Sequence, residues 1–181
     1  MMPHLIVGLG NPGEEYKNTR HNAGRIVLER VRQILELADW KTDKKWKALK
    51  SGDKSLLFLL PETMMNNSGK SLVGLIKNKK SAAKLIVVHD DLDLPTGILR
   101  ISWNRGSGGH RGLDSIIKQI KTREFVRIRL GIGKKQPILK HILGNFKPAE
   151  LKTVQGLGKK VAAAIELIVE EGKEKAMTLF N

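Results

Sequence analysis

The chain has 181 residues, enough for one domain with a real core and too few for two ordinary ones, so residues 1–181 are read as a single domain. It has no cysteine and no apolar run of about 18 residues, which excludes disulfides, thiolate metal sites, a cysteine nucleophile and a membrane-spanning helix and fits a cytoplasmic protein. The net charge is +15, and such a balance attracts polyanions such as nucleic acid.

Met1 to Gly10 is apolar but lacks the charged start and small-residue cleavage site of a signal peptide. Within it, Leu5–Gly8 is a short apolar run ending in glycine and predicts a buried strand. Residues 9–22 form a polar loop with Pro12 and Gly13. Ala23–Ala38 has helical spacing, with Ile26, Val27, Arg30, Val31 and Ile34 marking one face. Strands are expected near Trp46–Lys50 and Ser55–Leu60. Asn66 or Asn67 is positioned to cap a helix running to about Asn78. Lys84–His89 is a second buried strand and Ile98–Trp103 another. A glycine-rich loop, Arg105–Gly112, leads into a helix over Leu113–Ile120. Val126–Gly133 alternates, with Val126, Ile128, Leu130 and Ile132 on one side and Arg127 and Arg129 on the other. Ala149–Glu171 reads as an amphipathic helix interrupted at Gly156 and Gly158. Strands alternating with helices predict an α/β fold, and the close spacing of some strands predicts a mixed sheet.

The charge is concentrated. Between Gly97 and Lys147 there are 12 Lys and Arg against two acids, while residues 1–40 and 148–181 each hold five basic and five acidic residues. A lone basic run is usually a solvated face; this concentration points to RNA. Aromatic residues make up only 4%, so contacts to the phosphates of a structured RNA suit the chain better than stacking on single strands.

Two apparent nucleotide motifs fail on context. Gly8–Gly13 spells G-x-G-x-x-G after a strand, but no helix opens at once to hold a pyrophosphate. Ser68–Ser71 imitates the end of a P-loop, yet Met64 stands where that loop needs glycine. No G-x-S-x-G elbow is present. Three candidates for chemistry remain. His21 sits in the polar loop after the first strand, flanked by Arg20 and Asn22, and is expected to be an exposed acid/base group. Asp90, Asp91 and Asp93 cluster at another strand end, either as ligands for a hard metal or as a group orienting a histidine. Asn66 offers an amide donor, or is merely a cap.

Taken together, the blocks Gly8–Gly24, Pro61–Gly69 and His89–Gly112, supported by Arg127–Gly133, resemble bacterial-type peptidyl-tRNA hydrolases over roughly the whole chain. The resemblance implies a compact α/β domain with a mixed, twisted central sheet flanked by helices. It implies a monomeric, metal- and cofactor-free enzyme of translation that cleaves the ester between peptide and tRNA, recycling stalled or dropped-off peptidyl-tRNA. Its partner would be peptidyl-tRNA, bound through the acceptor arm and 3′ end. His21 matches the family's catalytic base and Asp90 the carboxylate that orients it. Asn11 matches the residue that tells a peptidyl amine from a free aminoacyl one, and Asn66 a substrate-binding asparagine that stabilises the oxyanion. Tyr16 and Met64 match positions lining the site for the tRNA 3′ end, and Arg129 a basic residue gripping phosphate. Arg111 departs from the pattern: it replaces an asparagine that contacts substrate and helps place water. A second phosphate-gripping lysine has no direct match, and Arg100 and Arg105 are the candidates for its role. An ester has a better leaving group than an amide, so water, one general base and an oxyanion donor suffice. Two other readings stay open: a metal-dependent nuclease or phosphoryl-transfer enzyme using Asp90, Asp91 and Asp93 as ligands, and an RNA-binding relative without turnover.

Overall fold

The computed structural model describes residues 3–181; Met1 and Met2, the start of the apolar opening, lie outside the described residues. Seven strands form one sheet: β1 (His4–Gly8), β2 (Lys41–Asp43), β3 (Ala48–Gly52), β4 (Leu56–Pro61), β5 (Leu85–Asp91), β6 (Leu99–Trp103) and β7 (Val126–Gly131). Their order is β2-β3-β4-β1-β5-β7-β6. The four central strands, β4, β1, β5 and β7, run parallel, and β2, β3 and β6 are antiparallel to their neighbours, giving the mixed sheet expected.

Both faces are covered, so each central strand must be apolar on both sides. Ile6 of β1 packs with α1 (Ala23–Ile34), α5 (Pro148–Gly156) and α6 (Gly158–Glu171), while Leu5 and Val7 join the opposite core with α3 (Arg111–Ile120) and the 3-10 segment Met65–Leu72. β5 divides in the same way, Ile86 and Val88 to one side and Leu85 and Val87 to the other. Fully burying each of these side chains contributes roughly 1.5–3 kcal/mol. From β1 the chain crosses to the β4 side; from β5 it crosses to the β7 side. The crevice outside the carboxyl ends of β1 and β5 is therefore a topological switch point, where open α/β sheets bind ligands.

Several expectations are corrected. The first helix ends at Ile34, not Ala38, because Glu36 adopts a left-handed conformation with φ 51°. Its packed face is Val27, Leu28 and Val31, whereas Arg30 is exposed and Ile34 is 37% exposed. Neither Asn66 nor Asn67 caps a helix to Asn78. Residues 65–72 form a 3-10 segment, and Asn78 instead caps a short helix, α2 (Lys79–Ala82), by a capping box with Ser81. The edge strand β2, helix α4 (Ile138–Leu143) and helix α7 (Lys173–Phe180) were not anticipated. The C-terminal helical segment is broken at Leu157 as its glycines suggest. Arg127 alternates as expected but is buried, its guanidinium donating to the carbonyls of Arg105 and Gly106 (2.6 Å to the latter) and lying 4.8 Å over the Phe125 ring.

Gly24, in the first turn of α1, brings that helix down on the two strands flanking the crevice. A Cβ there would lie 2.3 Å from the Val88 carbonyl oxygen and 2.7 Å from the Leu9 nitrogen, both backbone atoms that cannot swing aside. Gly24→Ala is expected to destabilise the protein by about 3 kcal/mol or more, the severe end of overpacking. An unchanged urea midpoint would show that the helix can shift without cost.

Candidate active site

The crevice is a cleft of about 770 Å³. Asn11, Tyr16, His21, Met64, Asn66, Asp90, Arg105, Arg111 and Arg129 all line it; Arg100 does not. Residues separated by more than a hundred positions in sequence thus meet at one sheet edge.

His21 belongs to a short 3-10 turn, Arg20–Asn22, immediately before α1. It is not exposed, as its polar neighbours suggest, but buried, with 6% of its surface accessible. Its side chain packs against Asp90 and, with ring centroids 4.9 Å apart, His110, while Arg20 ties the turn to α4 and α5. The Arg20 side chain pairs with Glu150 at 2.8 Å and reaches the His141 carbonyl at 3.4 Å, and its backbone nitrogen donates to the Gly144 carbonyl at 3.0 Å.

Asp90 is buried at the end of β5 and faces two imidazoles. His21 Nδ1 lies 2.9 Å from Oδ2, and His110 Nε2 lies 2.8 Å from Oδ1. The tautomer of His110 follows from its other nitrogen. Nδ1 caps α3 by accepting the backbone N–H groups of Gly112, at 3.1 Å, and Leu113, at 3.4 Å. It therefore carries no proton, and Nε2–H donates to Asp90. His21 in turn donates Nδ1–H to the same carboxylate, which leaves its Nε2 with a free lone pair. Burial favours the neutral acid in Asp90, but the two histidines outweigh it and hold the carboxyl well below the usual carboxylate range. Burial likewise disfavours the His21 imidazolium, yet the charge and hydrogen bond of Asp90 prevail over it and over the opposing charge of Arg111, so the His21 pKa is raised. His89 is different. Its Nδ1–H donates to the Asp90 carbonyl at 2.7 Å, its Nε2 is buried without a partner among the described residues, and burial pushes its pKa down to about 3.

Asn11 is held from two directions. Its backbone N–H and carbonyl bond the Asn22 amide, both at 2.8 Å, and its side-chain Oδ1 accepts the Met65 N–H at 2.7 Å. That leaves its amide NH2 without an acceptor among the described residues. Asn66 is exposed on the 3-10 segment, beside Met64, which is 44% exposed; Tyr16 is half-buried at the end of the turn Glu14–Tyr16. The wall formed by α4 is apolar, with Leu139 and Leu143 open to solvent.

The three acids line the same cleft, but their carboxylates do not converge on one ligand position. Asp91 accepts from Arg129 Nε at 2.7 Å, and Asp93 is exposed with Lys134 at 3.7 Å. Among the described residues the cluster that could hold a metal is instead His21, Asp90 and His110, whose ligand atoms lie within 4.8 Å of one another. A metal on His110 Nε2 would require a proton on Nδ1, which would then oppose the two N–H groups that it caps. The donor set therefore suits two protons better than a cation. His110 is the residue that sequence reasoning passed over. Its signal was present, a histidine directly ahead of a helix start, but it was read as part of a flexible glycine loop.

A histidine with a free imine nitrogen, held by a buried carboxylate at a switch point, has the make-up of a hydrolytic acid–base site on an α/β scaffold. The family profile described as Peptidyl-tRNA hydrolase matches residues 5–181. A peptidyl-tRNA hydrolase of Aquifex aeolicus is 41% identical over 98% of this chain and 95% of its own length, and one of Pseudothermotoga lettingae is 39% identical over 98% and 96%. The crystal structure of the peptidyl-tRNA hydrolase from Acinetobacter baumannii superposes with a TM-score of 0.89 at 34% identity, covering 100% of this chain and 96% of that one. The chain belongs to the peptidyl-tRNA hydrolase family.

Proposed function

We propose that the chain hydrolyses the ester joining peptide to tRNA in peptidyl-tRNA, with His21 as general base. The observation that carries this reading is the Asp90 carboxylate accepting from both His21 Nδ1 and His110 Nε2, which leaves the Nε2 lone pair free on a histidine that lines the cleft. A water on that nitrogen gives its proton to His21 as it attacks the ester carbonyl, and the resulting imidazolium returns the proton to the ribose oxygen as it leaves. Asn66, and the free amide NH2 of Asn11, are donors for the developing oxyanion and for the peptide amide. His110 is a positioning residue acting through Asp90. The reaction needs no metal, and hydrolysis of purified peptidyl-tRNA should survive EDTA. Inhibition by EDTA restored by a divalent ion would favour the metal-dependent reading.

Phosphates of the acceptor arm and 3′ end meet the basic rim. Arg129 gives Nε to Asp91, and neither terminal nitrogen meets an acceptor among the described residues, so both are available for phosphate. Arg105 lines the cleft whereas Arg100, opposite Arg129 on β6, lies outside it, which favours Arg105 as the second contact. Arg111 is exposed at the first turn of α3, where the helix dipole already favours an anion and a cation costs roughly 0.3–1 kcal/mol. A bound phosphate or ribose oxygen would offset that cost. Arg111→Ala is expected to raise KM for peptidyl-tRNA much more than it lowers kcat. It should also move the pH midpoint of turnover upward, since the Arg111 charge opposes the His21 imidazolium. Collapse of kcat at unchanged KM would assign Arg111 a direct part in the chemistry.

A further inference from the structure

One concentration of charge takes no part in the site above. The turn between β2 and β3 carries Lys44, Lys45 and Lys47, all exposed, with Lys41 preceding it. β3 runs antiparallel to β4, and Ala48 pairs with Pro61, the last residue of β4. The turn therefore projects from the carboxyl edge of the parallel strands, the same edge as the cleft.

The turn is also rigidly built. Asp43 accepts the Trp46 N–H at 3.1 Å and pairs with Lys50 at 2.7 Å, and Lys50 lies 5.3 Å over the Trp46 ring. The Lys47 carbonyl accepts from the Glu62 nitrogen at 2.8 Å and from Ser71 Oγ at 3.1 Å. These bonds dock the turn onto the segment that presents Met64 and Asn66, and they bring Lys70, exposed beside Ser71, to the same flank. Among the described residues no carboxylate pairs with Lys44, Lys45, Lys47 or Lys70. Asp43 neutralises Lys50 and leaves these four cations free.

We propose that Lys44, Lys45, Lys47 and Lys70 form a second phosphate-binding surface, on the flank of the cleft opposite Arg105 and Arg129, that takes the duplex part of the tRNA. The inference rests on peptidyl-tRNA being the substrate. β3 lies four strands from β7 in the sheet, about 19 Å at ~4.8 Å per strand, so one phosphate cannot bridge the two basic flanks. The contact is to backbone rather than bases: the aromatic ring nearest the turn, Trp46, is half-buried and covered by Lys50, which leaves no stacking platform. Two separated grips on one rigid polyanion hold it in a single orientation over the cleft.

The test compares the triple variant Lys44→Gln, Lys45→Gln, Lys70→Gln with a control that removes the same charge from exposed positions on α5 and α6, Lys152→Gln, Lys159→Gln, Lys160→Gln. Binding of uncharged tRNA is measured against salt. The slope of log affinity on log salt should flatten by roughly 0.9 per lost phosphate contact, about 2 to 3 in all, in the first variant and not in the control. The first variant should cleave a peptidyl ester on a short single-stranded 3′ oligonucleotide with unchanged kcat/KM. An unflattened slope, or equal flattening in the control, overturns the surface; an equal loss on the short substrate overturns its assignment to the duplex. If the wild type cleaves neither substrate while the slopes differ as expected, the hydrolytic reading fails and the surface stands.

Discussion

Replacing His21 with alanine is expected to lower peptidyl-tRNA hydrolysis by about 10²–10⁴-fold, the range that a positioned general base supplies. The variant will also lose stability, because His21 is buried and its removal deprives the ionised Asp90 of one of its two imidazole donors. An unsatisfied buried group costs roughly 1–3 kcal/mol. His21→Asn separates the two effects: its amide NH2 can replace Nδ1–H against Asp90, but it offers no basic nitrogen. Both variants should fail in single-turnover assays while tRNA affinity stays near wild type. A folded His21→Asn protein with wild-type turnover would remove His21 from the chemistry.

Asp90→Asn should be as damaging, and for a reason specific to this geometry. The asparagine presents one acceptor and one donor to two imidazoles. His110 cannot change its tautomer without losing the α3 cap, so it claims the amide oxygen. The amide NH2 then faces His21 Nδ1, which must accept. The proton moves to Nε2, the nitrogen that should be free, and turnover falls towards the upper end of the ~10²–10⁴-fold range. The pH profile adds a second readout. In the wild type, turnover is expected to rise with pH as His21 loses its proton, with a midpoint above the ordinary 6.5 of histidine, because Asp90 favours the imidazolium. Without that charge, the midpoint of the residual activity should move to lower pH. An unmoved midpoint would mean that the titrating group is not coupled to Asp90.

The central strands were legible because burial on both faces demands apolar runs, and Leu5–Gly8 and Lys84–His89 could be little else. β2 was not, since Lys41-Thr42-Asp43 is a polar edge that no core requires. The same limit explains the face of α1. Its spacing fits a helix, but which side is packed depends on α5 and α6, more than a hundred residues later. At the site, Asn11, His21 and Asp90 were legible as motif residues and do converge. Their surroundings were not. His21 is buried against Asp90 and His110, 69 and 89 positions later, and the separate partners of Asp91 and Asp93 come from β7 and the loop beyond it. His110 was missed because a capping histidine differs from a loop histidine only once the helix is known to start at Arg111.

The Arg20–Glu150 pair joins positions 130 apart, and the His21–Asp90 contact spans 69. A site closed by contacts of such sequence separation has high contact order, so its completion is late among folding events. A nascent chain that has exposed all seven strands but not Pro148–Gly156 lacks Glu150, the partner of Arg20. The turn that carries His21 is therefore tied down by α5, after every strand of the sheet has been made.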